Sequence, residues 1–167
     1  MKKMIFAMTL SLLLIAFGSA AQAQIPKEGS ISCLAGDSGM HKALSMGKER
    51  VQVNYELLGV FISETGEGFV HNASVRCMGT LHAVKGVHEG GGGGCVHTCP
   101  DGDQWFTVYT TSGQLGRALK VTGTIVGGTG KLSGIQGREE WNITEVRPAA
   151  EGTFQESSII KISYKLP

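Results

Sequence analysis

Hydrophobic and polar positions alternate with a period of two through most of the chain, and no segment carries a convincing amphipathic helical period. Val51, Val53, Tyr55 and Leu57 fall on one side of an extended segment, with Gln52, Asn54 and Glu56 on the other. That spacing predicts a half-buried strand. Residues 69–78 predict another after the turn at 65–68, and residues 80–84 extend it or begin a third. Residues 104–111, rich in aromatic and β-branched side chains, follow the P-D-G-D turn at 100–103. Residues 119–126 come next, with Gly123 as a bend or bulge, and residues 139–146 alternate around Trp141 and Ile143. Ile160, Ile162, Tyr164 and Leu166 close the series against Lys161, Ser163 and Lys165. The five glycines at 90–94 lack any propensity for regular structure and predict a mobile hairpin loop ahead of Cys95. Strands at this density predict an all-β domain, either a sandwich or a barrel.

The start of the chain reads differently. Lys2 and Lys3 precede an apolar run at 4–17, and Ala21-Gln22-Ala23 forms a small-residue cleavage box. This three-part layout predicts a signal peptide over residues 1–23, removed after Ala23, and a periplasmic or secreted product. Its apolar run is shorter than the roughly 20 residues of a membrane span, and no other long apolar run predicts an anchor. Residues 24–50 carry scattered glycines and little periodicity. They predict a loosely structured lead-in with room for one early strand, leaving residues 51–167 as the barrel or sandwich domain.

Charge and cysteines narrow the function classes. Fifteen Lys and Arg stand against fourteen Asp and Glu. With no basic stripe, the chain lacks the electrostatic footprint of a nucleic-acid or anionic-lipid binder. The four cysteines, Cys33, Cys77, Cys95 and Cys99, predict two disulfides in an exported chain, with three pairings open. The spacing of Cys95 and Cys99 fits neither a C-x-x-C redox site nor a zinc knuckle. No nucleophile elbow, zincin helix, phosphate loop or cofactor motif occurs.

Two segments are more specific. Residues 95–103 read C-V-H-T-C-P-D-G-D, and residues 123–137 read G-T-I-V-G-G-T-G-K-L-S-G-I-Q-G, ahead of the strand holding Trp141. In the second, glycines end a strand, Lys131 to Ile135 make at most one helical turn, and Leu132 and Ile135 plug one end of a barrel. With Cys77-Met-Gly79 upstream, this order of motifs resembles small exported bacterial proteins of the allene oxide cyclase-like and dirigent-like barrel superfamily. The resemblance covers residues 72–141. It implies an antiparallel barrel of about eight strands with a short glycine-rich helical turn near 128–137. The resembling proteins carry Cys at positions 77 and 95, on strands flanking the glycine run. That implies a Cys77–Cys95 disulfide and leaves Cys33 with Cys99. No catalytic residue of the superfamily carries over.

Candidate site residues follow from the chemistry. Trp105 and Tyr109 share a strand face, with Phe106 opposite, and either pack the core or line a pocket with Trp141. Of Glu139 and Glu140, one faces inward; Glu140 is taken with Trp105, Tyr109 and Trp141 as the ligand-binding set. Asp101 and Asp103 offer carboxylates to a metal but lack the ligand series of a calcium loop, and Asx-turn bonds explain them as well. His71, His82, His88 and His97 lack ligand spacing and are expected as scattered surface residues. The expectation is an exported barrel that binds a small apolar or amphipathic molecule or a protein partner, without a cofactor. The alternatives are an isomerase- or cyclase-type enzyme with a carboxylate or His in the pocket, and a purely structural protein with a filled barrel.

Overall fold

A computed structural model describes residues 25–167 apart from Gly116, so the expected signal peptide lies outside the described residues. Eight antiparallel strands run in sequence order around a closed barrel: β1 Glu28–Ser45, β2 Arg50–Ser63, β3 Ala73–Val84, β4 Val87–Thr98, β5 Gln104–Gly113, β6 Ala118–Gly128, β7 Gln136–Val146 and β8 Thr153–Lys165. A 3₁₀ turn, Gly130–Leu132, interrupts the strands between β6 and β7. The expected all-β antiparallel barrel with one glycine-rich helical turn is the observed fold. Among the described residues no helix is long and apolar enough to cross a membrane.

The lead-in expected over residues 24–50 is instead mostly β1, the strand that closes the barrel. Ala35 faces Phe61 of β2 on one side and Ser158 of β8 on the other. Its inward positions, Cys33, Ala35, Asp37 and Gly39, are small or polar, so β1 fills the wall without the apolar alternation that marks the other strands.

The two ends of the barrel differ. At the end where β1 begins, Phe69 and Val70 from the β2–β3 connection, and Leu132 and Ile135 after β6, are buried and plug the interior. Above them the core is aromatic: Phe69 lies edge-on to Trp105 and Tyr164, and Phe61 edge-on to His97 and Trp141. Such pairs add about 0.5–1.5 kcal/mol each beyond their area burial. The two motifs singled out in the sequence act together under this plug. Asp101 Oδ1 accepts the Asp103 amide at 3.2 Å, and Asp103 Oδ2 accepts the Lys131 amide at 2.9 Å. The Lys131 ammonium pairs with Asp101 and holds that carboxyl below its usual range. A Cβ on Gly130 would lie 1.7 Å from Asp103 Oδ1, so the glycine is a steric requirement of this contact. The Asp101 and Asp103 side chains are thus engaged in joining two turns. Asp103→Ala is expected to cost about 1.5–3 kcal/mol, the value of a charge-assisted hydrogen bond, measurable as a lower urea midpoint.

The glycine run is not a loop. Residues 90–94 belong to β4, and the hairpin is the two-residue turn Lys85-Gly86, with φ of 52° and 78° as two-residue hairpins require. A Cβ at Gly93 would stand 2.1 Å from the Met78 carbonyl oxygen and 2.6 Å from the Tyr109 hydroxyl, and one at Gly79 would stand 2.6 Å from the Tyr55 hydroxyl. The bare backbone makes room for two tyrosine rings inside the barrel, a demand that outweighs the low strand propensity of glycine.

Cys77 and Cys95 face each other across β3 and β4 and are joined by a disulfide spanning 18 residues, worth about 3 kcal/mol in the chain-entropy model. The expected Cys33–Cys99 bond is absent, and both are buried free cysteines. Cys33 lies on β1, which pairs with β2 and β8, whereas Cys99 follows β4, which pairs with β3 and β5. Burial pushes both thiols up to about 12, which makes them inert as nucleophiles.

Candidate functional site

An eight-stranded barrel has an interior that side chains just fill or that holds one small ligand. This barrel does both, in different halves. Beyond the aromatic plug lies a cavity of about 220 Å³ in the other half of the barrel. Leu57, Leu81, Leu119, Val121 and Ile143 make its apolar walls, and Trp141 and Glu139 border its deep end. His41, His88, Phe154, Glu145 and Glu156 line it nearer the turns of the other end. Tyr55 and Tyr109, over the glycines of β3 and β4, join hydroxyl to hydroxyl at 2.8 Å. The Thr107 hydroxyl also borders the space; it is buried and makes no hydrogen bond within the protein.

The deep end is held by one carboxylate. Glu139 is fully buried; its Oε1 accepts the Trp105 indole N–H at 2.8 Å and its Oε2 the Trp141 indole N–H at 3.1 Å. His97 stacks flat on Trp105, centroids 4.3 Å apart, with Nε2 3.7 Å from Glu139 Oε1. Burial lowers the imidazole pKa against the opposing pull of Glu139. At neutral pH the ring is therefore uncharged, and the contact is polar packing rather than an ion pair. His97 is thus a core residue, not the surface histidine expected from spacing.

Three further carboxyl groups form a lateral row. Asp37 on β1 faces Glu156 on β8, and Glu156 faces Glu145 on β7. All three occupy inward positions, continuing the alternation of Cys33 and Ala35, of Ser158 and Ile160, and of Trp141 and Ile143. Asp37 is only 4% exposed, and neither carboxyl oxygen has a hydrogen-bond partner in the protein. Burial raises its pKa to about 7. Glu156 also rises to about 7, from burial first and then from Asp37 and Glu145. Gly59 seats this row, since a Cβ there would lie 1.8 Å from Asp37 Oδ1.

The structure sorts the residues expected to bind a ligand. Tyr109 and Trp141 line the cavity. Trp105 does not; it is sealed in the aromatic core below. Glu140 points outward and is exposed, while Glu139 takes the inward place. Strand parity carried that signal, because Trp141 faces inward and a residue two positions earlier shares its face. Asp37, Glu145, Glu156 and Thr107 were missed, each lying on a different strand from its partners. Comparison of the chain with protein-family models, curated proteins and solved structures finds no match.

Proposed function

We propose that this protein is an exported carrier that binds one small, largely apolar molecule in the unplugged half of its barrel. The observation that carries the reading is the division of the interior. One half is packed with aromatic rings, and the other is an apolar-walled space with a few convergent polar groups, the usual composition of a small-molecule site. Export is supported by the signal-like start of the chain and by the Cys77–Cys95 disulfide, a bond that persists in oxidising compartments.

The test uses N-phenyl-1-naphthylamine, an uncharged dye that brightens in apolar surroundings. Titration into the purified protein is expected to give saturable emission at one site per chain. Leu81→Trp, which fills the cavity from its wall, is expected to weaken the dye roughly tenfold or more by occluding an apolar site. Absence of a saturable signal, or full binding by Leu81→Trp, rejects the site.

A second reading has its own observation. Glu156, which lines the cavity, titrates near neutrality, where a general acid or base is most effective, which supports an isomerase- or cyclase-type reaction on the bound molecule. In that case a molecule recovered from the protein after incubation differs in structure from the one supplied, whereas a carrier returns it unchanged.

A further inference from the structure

Resting on the carrier reading, we propose that the molecule held is an organic cation: a protonated amine whose apolar body lies along the barrel and whose ammonium group meets Glu156 and Glu145, with Asp37 behind them and the rings of Tyr55, Tyr109 and Phe154 beside it.

The charge inventory of the cavity points this way. Glu139, Glu145 and Glu156 line it, and among the described residues no Lys or Arg does. His88 is no substitute for a fixed cation, since burial lowers its pKa against the opposing pull of Glu145. An anionic head group entering here would meet carboxylates of its own sign in a medium less polar than water, where repulsion is strongest. A fatty carboxylate, the most familiar cargo of an apolar barrel, is therefore disfavoured by the field.

The carboxyl row is costly to the empty fold. Like charges directly opposite on neighbouring strands are destabilising, and a buried carboxyl without a hydrogen-bond donor carries its full desolvation penalty. Asp37 bears both burdens, facing Glu156 with neither oxygen bonded. An ammonium on the cavity side gives its N–H donors to Glu156, which lines the cavity, and sets a positive charge beside the Asp37–Glu156 pair. The aromatic groups fit the same guest. Phe154 stands edge-on to Tyr55 at 6.3 Å, and a cation over such ring faces gains further attraction. Independently of the acids, the buried Thr107 hydroxyl on the cavity wall has no partner within the protein. It offers a hydrogen bond to a second polar group on the molecule's body.

Binding is coupled to protons. The titratable groups around the row are His41 and Asp37 from β1, Tyr55 from β2, His88 from β4, Tyr109 from β5, Glu139 and Glu145 from β7, and Glu156 from β8; β3 and β6 contribute only the disulfide and aliphatic side chains to the lining. Asp37 and Glu156 carry protons below about pH 7 and lose them above it, so affinity for the cation rises with pH through neutrality. A primary alkylamine stays charged throughout that range, its pKa lying near the lysine value of about 10.4.

Three probes with one apolar body decide the matter: 4-phenylbutylamine, 4-phenylbutan-1-ol and 4-phenylbutyrate, titrated calorimetrically into the wild-type protein at slightly alkaline pH. The amine is expected to bind roughly tenfold or more tighter than the alcohol, and the carboxylate weakest, as charge complementarity requires. The advantage of amine over alcohol should shrink on acidification and in Glu156→Gln or Asp37→Asn. Equal affinities for the three, or a carboxylate that binds best, overturn the cation while leaving the carrier intact. So does failure of all three where N-phenyl-1-naphthylamine still enters; failure of the dye as well overturns both readings.

Discussion

Glu139→Leu is expected to lose about 3–5 kcal/mol of folding stability and to lose the tertiary signal of its two tryptophans. Indole nitrogens only donate, and Glu139 is the acceptor for both Trp105 and Trp141 in a fully buried setting. Removing it leaves two sealed N–H groups unsatisfied, at about 1–3 kcal/mol each. Part of this is offset because the buried carboxylate itself is no longer desolvated. Glu139→Gln is the informative control. Its amide oxygen can accept from one indole, but its NH₂ meets the other donor to donor, so an intermediate loss of about 1–3 kcal/mol is expected. Urea titrations followed by near-ultraviolet circular dichroism give both values. If Glu139→Leu matches the wild type, the two indoles do not depend on this carboxylate for their acceptor. The expected ranking assigns Glu139 to positioning Trp141 at the deep end of the cavity, apart from the carboxyl row of β1, β7 and β8.

How far that arrangement can be read from the chain depends on whether a feature is local. Alternation around Val53, Trp141 and Ile162 exposes the strands they belong to, because each buries large side chains on one face. β1 escapes the same test: its bulkier apolar residues, Leu34 and Met40, face solvent while Cys33, Ala35 and Asp37 face in. The glycines of β4 escape it too, since their reason lies in tyrosines brought from β2 and β5. Pairing of Asp103 with Gly130 explains why two motifs occur together, yet the steric contact appears only once the turns are adjacent. The carboxyl row is the extreme case. Asp37, Glu145 and Glu156 become neighbours through barrel closure between β1 and β8 and the register of β7 on β8. No spacing along the chain encodes that.

The row also makes the second large prediction, a stability difference between Asp37→Asn and the wild type that depends on pH. In the unfolded chain Asp37 titrates near the ordinary aspartate value of about 3.9; in the barrel burial raises it to about 7. Between those values the folded state binds the proton that the unfolded state has released. Stability from this group is therefore complete below the unfolded pKa and is lost as pH rises through the folded one. Three units at 1.36 kcal/mol each set a ceiling of about 4 kcal/mol. Glu156 shares the effect because its own rise includes the Asp37 charge, so the two substitutions should not add. His97 acts in the opposite sense: its lowered pKa makes the folded state bind fewer protons, and that contribution disappears as pH falls below about 6.5. The absolute profile thus mixes both groups, whereas the difference between variant and wild type isolates the row. Asp37→Asn, nearly isosteric and always neutral, should change little at about pH 3 and gain about 2–4 kcal/mol over the wild type above about pH 8. Denaturant titrations at the two pH values measure it, and a difference that does not vary with pH rejects the buried carboxyl as its origin. An amine bound in the row should narrow the gap at alkaline pH, because a ligand selective for the folded wild type adds stability by mass action and the asparagine variant gains less from it.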